Sequence, residues 1–183
     1  MPLSEEPMTS NQPNNWFWGP FSRIGYVWAL IALAVDQLHK WWMLNIVGIT
    51  LNDRIEVTDF FDLVLVWNKG ISYGLFQQES FTGRLVLASF AFIAVIGLAI
   101  WLARGEQTRL TAIAIGLVMG GGLCNGFDRL IRPGVADFFS LHAFGFNWYI
   151  FNIADIAIVA GVAALLYDAV FVSPKTASKP SQD

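Results

Sequence analysis

The sequence predicts an all-α polytopic membrane protein, with four transmembrane helices and a small extracytoplasmic β-sheet and loop region. Composition is the first reason. Of 183 residues, 55% are hydrophobic and 14% are charged, whereas a soluble domain carries roughly 25% charged residues. The second reason is that the apolar residues form runs long enough to cross a hydrocarbon layer about 30 Å thick. The third is the placement of the few charges. Asp36, Asp128, Asp137 and Asp155 lie at or near the ends of apolar runs. A carboxylate beside hydrocarbon is costly unless a partner or a function keeps it there.

Residues 1–20 are polar and proline-punctuated, with Glu5 and Glu6, and are expected to be a disordered cytoplasmic segment. Trp16, Phe17 and Trp18 close this segment and read as interfacial anchors. The acidic start, with no small-x-small site after the first apolar run, does not fit a cleavable secretory signal. A first helix is expected over 24–44. In it Asp36, His39 and Lys40 share a face by i, i+3, i+4 spacing. Asp36 and Lys40 read either as an intrahelical ion pair near the membrane surface or as part of a polar site that they orient. Trp41 and Trp42 fit an aromatic belt.

Residues 45–80 begin too polar to span a bilayer. The β-prone run 63–67 stops at Asn68-Lys69-Gly70, which predicts a small sheet on the membrane surface followed by a loop over 68–76. Gly70 and Gly74 would allow that loop unusual backbone angles. A second helix over 85–102, a short connector and a third helix over 110–123 should form an antiparallel pair. Gly116, Gly120, Gly121 and Gly122 supply small faces for close helix approach. Residues 127–147 form a second polar excursion. A fourth helix is expected over 148–172, with Asn152 and Asp155 on one face of its first turns. Residues 173–183 are a polar cytoplasmic tail, which leaves 21–172 as one four-helix membrane domain.

Four spans put both termini on one side of the membrane. The short connector and the tail, with Arg104, Arg109, Lys175 and Lys179, are basic, and short basic segments stay in the cytoplasm. The two polar excursions then lie outside, and Asp36, Asn68, Asp128, Asp137 and Asp155 gather at the outer surface.

A net charge of −3 and the lack of a basic stripe argue against a nucleic-acid partner. Cys124 is the single cysteine, which excludes an intrachain disulfide and a multi-cysteine metal cage, and it reads as a small buried apolar side chain. With His39 and His142 the only histidines, no histidine-rich metal site is expected, and no cofactor motif is present. The chemistry left is that of carboxylates. Two aspartates that share a site do not both ionise easily. The charged one can take a proton from water while the protonated one polarises a carbonyl. A proton-linked transporter also needs membrane carboxylates, and a non-catalytic assembly factor would keep the glycines without needing an aspartate pair; both stay open on these grounds.

Several motifs together resemble the bacterial lipoprotein signal peptidase family, signal peptidase II. They are Asp36-Gln37-Leu38-His39-Lys40, the loop Asn68-Lys69-Gly70-Ile71-Ser72-Tyr73-Gly74, Gly121-Gly122-Leu123-Cys124-Asn125-Gly126-Phe127-Asp128-Arg129, Val135-Ala136-Asp137-Phe138, and Phe151-Asn152-Ile153-Ala154-Asp155. His39 stands where the family has a small hydroxyl, and Cys124 stands where it has glycine. The resemblance implies an aspartyl endopeptidase of the bacterial inner membrane. Asp137 and Asp155 would be the catalytic pair, with Asp128 and Asp155 as the alternative. Asp128 with Arg129 would form a supporting polar cluster, and Asp36 and Lys40 would orient the site. Asn125 and Asn152 would hold carboxylates and substrate, and Asn68 with Gly70 would help clamp the peptide. The implied substrate is a prolipoprotein bearing a diacylglyceryl group on a cysteine, cleaved just before that residue.

Overall fold

The structure is a computed structural model that describes residues 16–70, 80–105 and 107–172. The loop expected over 68–76 therefore lies largely outside the described residues, as do the tail and most of the N-terminal segment.

Helix α1 (Ser22–Trp42) ends in a π-helical turn at Met43–Val47. Strands β1 (Arg54–Thr58) and β2 (Phe61–Asn68) follow, then α2 (Phe81–Arg104) and α3 (Arg109–Ile131). Strands β3 (Val135–Ala143) and β4 (Phe146–Asn147) lead to α4 (Ile153–Tyr167), which closes in a second π-helical turn at Asp168–Val172. The segments Phe81–Arg104, Arg109–Ile131 and Ile153–Val172 are each long and apolar enough to cross a membrane. Helix α1 packs beside α3 but is less apolar, because Asp36, Gln37, His39 and Lys40 occupy its last turns.

Helix α3 is central and packs on each of the other three helices. Its glycines explain how. A Cβ on Gly116 would meet the Gly25 carbonyl oxygen of α1 at 2.2 Å, and one on Gly120 would meet the Ala29 oxygen at 2.5 Å. On another side a Cβ on Gly121 would stand 2.5 Å from the Ala154 oxygen of α4, and Gly161 of α4 lies as tightly against the Ala114 oxygen. These helices touch backbone to backbone, as the glycine pattern predicts. The main apolar cluster, including Ala99, Leu102, Ala112, Ile115 and Met119, fills the seam between α1, α2 and α3.

The four strands form an antiparallel sheet in the order β1-β2-β3-β4. A second cluster of Met43, Ile49, Leu65, Ala136 and Phe138 seats the sheet on the end of α1. Buried Asp62 on β2 binds Arg54 of β1 at 2.5 Å and His142 of β3 at 2.7 Å, so one carboxylate ties three strands.

Three expectations need correction. The fourth helix does not begin at residue 148 but at Ile153, because Trp148 N bonds to the Leu141 oxygen and Phe151 pairs with Phe139 in an extended bridge. The third helix does not stop near residue 123 but runs to Ile131. Glycine and asparagine favour helix weakly, yet here the extra turns are held by tertiary bonds from Asn125 to Asp155, from Asp128 to Ala136 N and from Arg129 to the Gly70 oxygen. The second excursion is also not merely polar loop, because it contains β3. That strand is buried on both faces over its first half, with Val135, Ala136, Asp137 and Phe138 as consecutive buried positions, and so lacks the period-2 signal of a half-exposed strand.

The glycine contacts make a direct test possible. Gly121→Ala should destabilise the protein by about 1–3 kcal/mol through backbone overpacking. Gly97→Ala in α2, where a Cβ meets nothing within 4 Å, should be neutral or slightly stabilising. Thermal unfolding of the two purified variants in the same detergent reports the difference.

Candidate active site

Two polar clusters meet where α1, α3, β3 and the start of α4 converge. The first is a buried ion network. Lys40 is fully buried and its Nζ lies 2.8 Å from Asp36 and 2.7 Å from Asp128, both also fully buried. Asp128 is bound in addition by Arg132, and Gln37 donates to it at 3.1 Å. The surface ion pair expected of Asp36 and Lys40 is therefore an interior one. The arginine that ion-pairs with Asp128 is Arg132, since i,i+4 residues share a helix face. Gln37 and Arg132 were not singled out from sequence. The i,i+4 spacing of Asp128 and Arg132 was the signal available.

Each carboxylate of this network also accepts a backbone N–H. Asp36 Oδ1 accepts from Ala154 N at 2.9 Å, and Asp128 Oδ2 accepts from Ala136 N at 3.2 Å. Ala154 precedes Asp155, and Ala136 precedes Asp137. The network thus grips the chain one residue before each member of the expected pair.

The second cluster is built on Asn152. This residue is the N-cap of α4: its Oδ1 accepts from Asp155 N at 3.0 Å, while Asp155 Oδ2 accepts from Asn152 N at 3.2 Å. That is a reciprocal capping box. Because Oδ1 is committed to the helix, Nδ2 is the free end, and it donates to Asp137 Oδ1 at 2.6 Å and to Asn125 Oδ1 at 3.3 Å. Asn125 Nδ2 donates in turn to Asp155 Oδ1 at 3.0 Å. Paired main-chain bonds between Phe139 and Phe151 hold the start of α4 against β3 and set this alignment. The Asn68 side chain, at the end of β2, favours the ionised form of the Asp137 carboxyl.

Arg129 turns away from the ion network. Its Nη1 donates to the Asn125 oxygen at 2.7 Å and its Nη2 to the Gly70 oxygen at 2.6 Å, so it joins the helix to the residues after β2. Gly70 N binds Asn68 Oδ1 at 3.0 Å. Asp155, Asn125, Asn68 and Arg129 line a cavity of about 260 Å³. Its other wall is apolar, with Leu87, Phe90 and Ala91 from α2 and Ile158 and Val159 from α4. Asp137 lies behind it, 1% exposed. Burial pushes the Asp137 carboxyl up to about 7, and the nearby charge of Asp155 adds to the effect. The Asn152 and Asn68 side chains oppose the rise only in part. Among the described residues no group of three or more metal-ligating side chains is assembled.

A sequence profile of the family described as Signal peptidase (SPase) II matches residues 28–171. The chain belongs to this family. A lipoprotein signal peptidase of Rhodopseudomonas palustris is 46% identical over 156 residues, which is 83% of this chain and 94% of that protein. One of Nitrobacter hamburgensis is 47% identical over the same share of both chains. Two structures titled as bacterial membrane enzymes, solved by the in meso method, share the fold. They superpose with TM-scores of 0.70 and 0.71 at 23% identity and cover 92% and 86% of this chain.

His39 and Cys124, the two departures from the expected motifs, both sit among packed neighbours, and His39 Nδ1 is buried without a hydrogen-bond partner among the described residues. His39 is half-buried between aromatic rings, 5.4 Å from Phe138 and 5.1 Å from Phe139 by ring centroid. Cys124 is fully buried on α3, its Sγ 3.8 Å from the Leu33 oxygen.

The buried network generates a prediction. Lys40→Met leaves Asp36 without a cation and Asp128 with Arg132 alone, which should cost about 3–5 kcal/mol. Adding Asp36→Asn and Asp128→Asn should recover part of that loss, because the facing carboxyl groups are then neutral and Arg132, 17% exposed, still reaches water. Denaturation of the single and triple variants checks the order.

Proposed function

We propose that this signal peptidase II is a membrane-embedded aspartyl endopeptidase whose catalytic pair is Asp137 and Asp155. It removes the signal peptide from prolipoproteins that carry a diacylglyceryl-modified cysteine, cutting just before that residue. The observation that carries this reading is that Asp155, at the polar end of a cavity whose far wall is apolar helix, is coupled through Asn152 to Asp137 buried just behind it. A substrate that is peptide at one end and lipid at the other fits such a cavity.

The two aspartates sit in different settings. Asp137 is buried and keeps its proton up to about pH 7. Asp155 borders the cavity and accepts N–H bonds on both oxygens, which suits the ionised partner. In the proposed reaction Asp155 takes a proton from water, and the resulting hydroxide attacks the scissile carbonyl carbon. The Asp137 proton hydrogen-bonds the carbonyl oxygen as negative charge develops there. Collapse of the tetrahedral intermediate breaks the C–N bond, and the leaving α-amine of the lipidated cysteine takes the proton that Asp155 removed from water, which returns Asp155 to its carboxylate. Asn125 and Asn152 hold the carboxylates, and Arg129, Asn68 and Gly70 shape the peptide-binding rim. Asp128 is less suited to the pair, since Lys40, Arg132, Gln37 and Ala136 N already engage its oxygens. No metal or cofactor takes part in this reading, and no nucleic-acid partner is implied.

In the same reading the domain 21–172 lies in the bacterial inner membrane, flanked by cytoplasmic segments 1–20 and 173–183. Helix α1 is the fourth span. Its polar last turns are neutralised internally by the Lys40 ion pairs. The sheet and the catalytic pair face outward. A cysteine placed at Asp53 should react with an impermeant thiol reagent added outside intact cells, while one at Gly105 should not. Outside labelling at Gly105 would invert the proposed topology.

The pair itself is tested on a lipidated proprotein. Asp137→Asn and Asp155→Asn should each lower cleavage by roughly a thousandfold or more, with the double variant little worse than either single. Because the Asp137 proton is needed, cleavage should fall as pH rises through about 7. Stability follows the same sign. The folded state holds that proton more tightly than the unfolded chain does, so ionising Asp137 costs stability between its ordinary value and about 7. Asp137→Asn should flatten that slope while leaving the protein folded. Near-normal cleavage by folded Asp137→Asn, beside an inactive but folded Asp128→Asn, would transfer the role to Asp128.

A further inference from the structure

The segment Trp16–Gly19 precedes the span matched by the family profile, yet it is built onto the helix ends. Gly19 packs so closely on α2 that a Cβ would stand 2.2 Å from the Ala103 oxygen. Gly19 N donates to Ser22 Oγ at 2.8 Å, and Ser22 is fully buried. Tyr26 Oη donates to the Phe17 oxygen at 2.6 Å, and its ring lies 6.0 Å from that of Trp18. The Arg104 guanidinium, at the end of α2, sits 4.4 Å from the Trp16 ring centroid. Trp16, Phe17 and Trp18 nonetheless remain half-exposed.

Three guanidiniums occupy this end of the bundle. Arg23 opens α1, Arg104 closes α2 and Arg109 opens α3, and all three are exposed. The ends are adjacent, since a Cβ on Gly25 would meet both Leu102 of α2 and Ala112 of α3. Among the described residues the one carboxylate at this end is Asp168, which is buried and accepts from Thr108 Oγ1 at 2.8 Å. Among the described residues three cations therefore stand against one carboxylate at this end.

A guanidinium stacked by its face on an indole keeps its in-plane N–H edge available. That edge matches a phosphate oxygen pair. Exposed tryptophan and phenylalanine beside it favour the layer between acyl chain and headgroup. The geometry points to a seat for an anionic phospholipid headgroup, formed by the Trp16–Gly19 strap with Arg23, Arg104 and Arg109. The phosphate meets the guanidiniums, and the aromatic rings meet the glycerol and upper acyl region. Charge selects an anionic lipid over a zwitterionic one, and the rings select a lipid over a soluble phosphate. The seat lies at the opposite ends of the helices from the aspartate pair and requires only that this end meet a headgroup layer, so it stands apart from the peptidase reading.

The full chain, stripped of lipid in detergent, is offered an equal mixture of phosphatidylglycerol and phosphatidylcholine, and retained lipid is counted by native mass spectrometry. Wild type should retain phosphatidylglycerol selectively. Arg104→Gln should lower that retention about fivefold, the equivalent of the ~1 kcal/mol that one basic side chain contributes against an anionic surface. Phosphatidylcholine retention should stay unchanged in Arg104→Gln, whereas Trp16→Ala should lower retention of both lipids, because the rings meet the glycerol and acyl region that the two share. Should Arg104→Gln fail to fold, Arg23→Gln carries the same comparison. Equal retention of the two lipids by wild type, unaltered selectivity in the folded arginine variants, or unaltered retention of both lipids in folded Trp16→Ala overturns the proposal.

Discussion

The arrangement of this protein depends on one buried ammonium. Lys40 holds Asp36 on its own helix and Asp128 on α3. Each of those carboxylates reaches on to a main-chain N–H in the residue before a member of the proposed pair. Two elements that are distant in sequence, β3 and the first turn of α4, are thereby fixed relative to a single point charge. Taking a cation and two anions out of water costs several kcal/mol per ion, and a well-packed apolar replacement is often as stable. The network therefore earns its place through position. It sets where two backbone segments lie, which apolar packing alone would leave free to slide.

The second layer of positioning uses the ordinary grammar of a helix start. Asn152 caps α4, and the same amide then has only its NH₂ end left for Asp137. A residue type chosen to begin a helix is thus also a directed donor to a carboxylate on a neighbouring strand. Asp155, three residues on, closes the capping box with one oxygen and faces Asn125 with the other. Nothing in this arrangement relies on a long flexible side chain, so little rotamer entropy is lost in holding it.

Much of this was readable from residue order. The apolar runs marked the helix cores, and the glycine spacing on α3 predicted close approach that the backbone distances bear out. Asn152 and Asp155 were placed on one face because i and i+3 meet there. What the pattern hid was tertiary. Helix α3 continues through Asn125 and Asp128 because partners from α1, α4 and β3 satisfy those side chains, and no local propensity reports such partners. Strand β3 was missed because its burial on consecutive positions erases alternation. The Asp62–Arg54–His142 tie was missed because its members lie 88 and 80 residues apart or on different strands, with no shared periodicity to join them.

The glycine contacts along α3 have a consequence for life in a bilayer. When backbone rests on backbone on two sides, there is no side-chain cushion to compress. A change in hydrocarbon thickness that tilts one of these helices must then carry its neighbours with it. The bundle leans as one body, and the spacing between β3 and the α4 start does not follow the membrane. An enzyme built this way can meet substrates in patches of differing lipid composition without retuning its carboxylates to each.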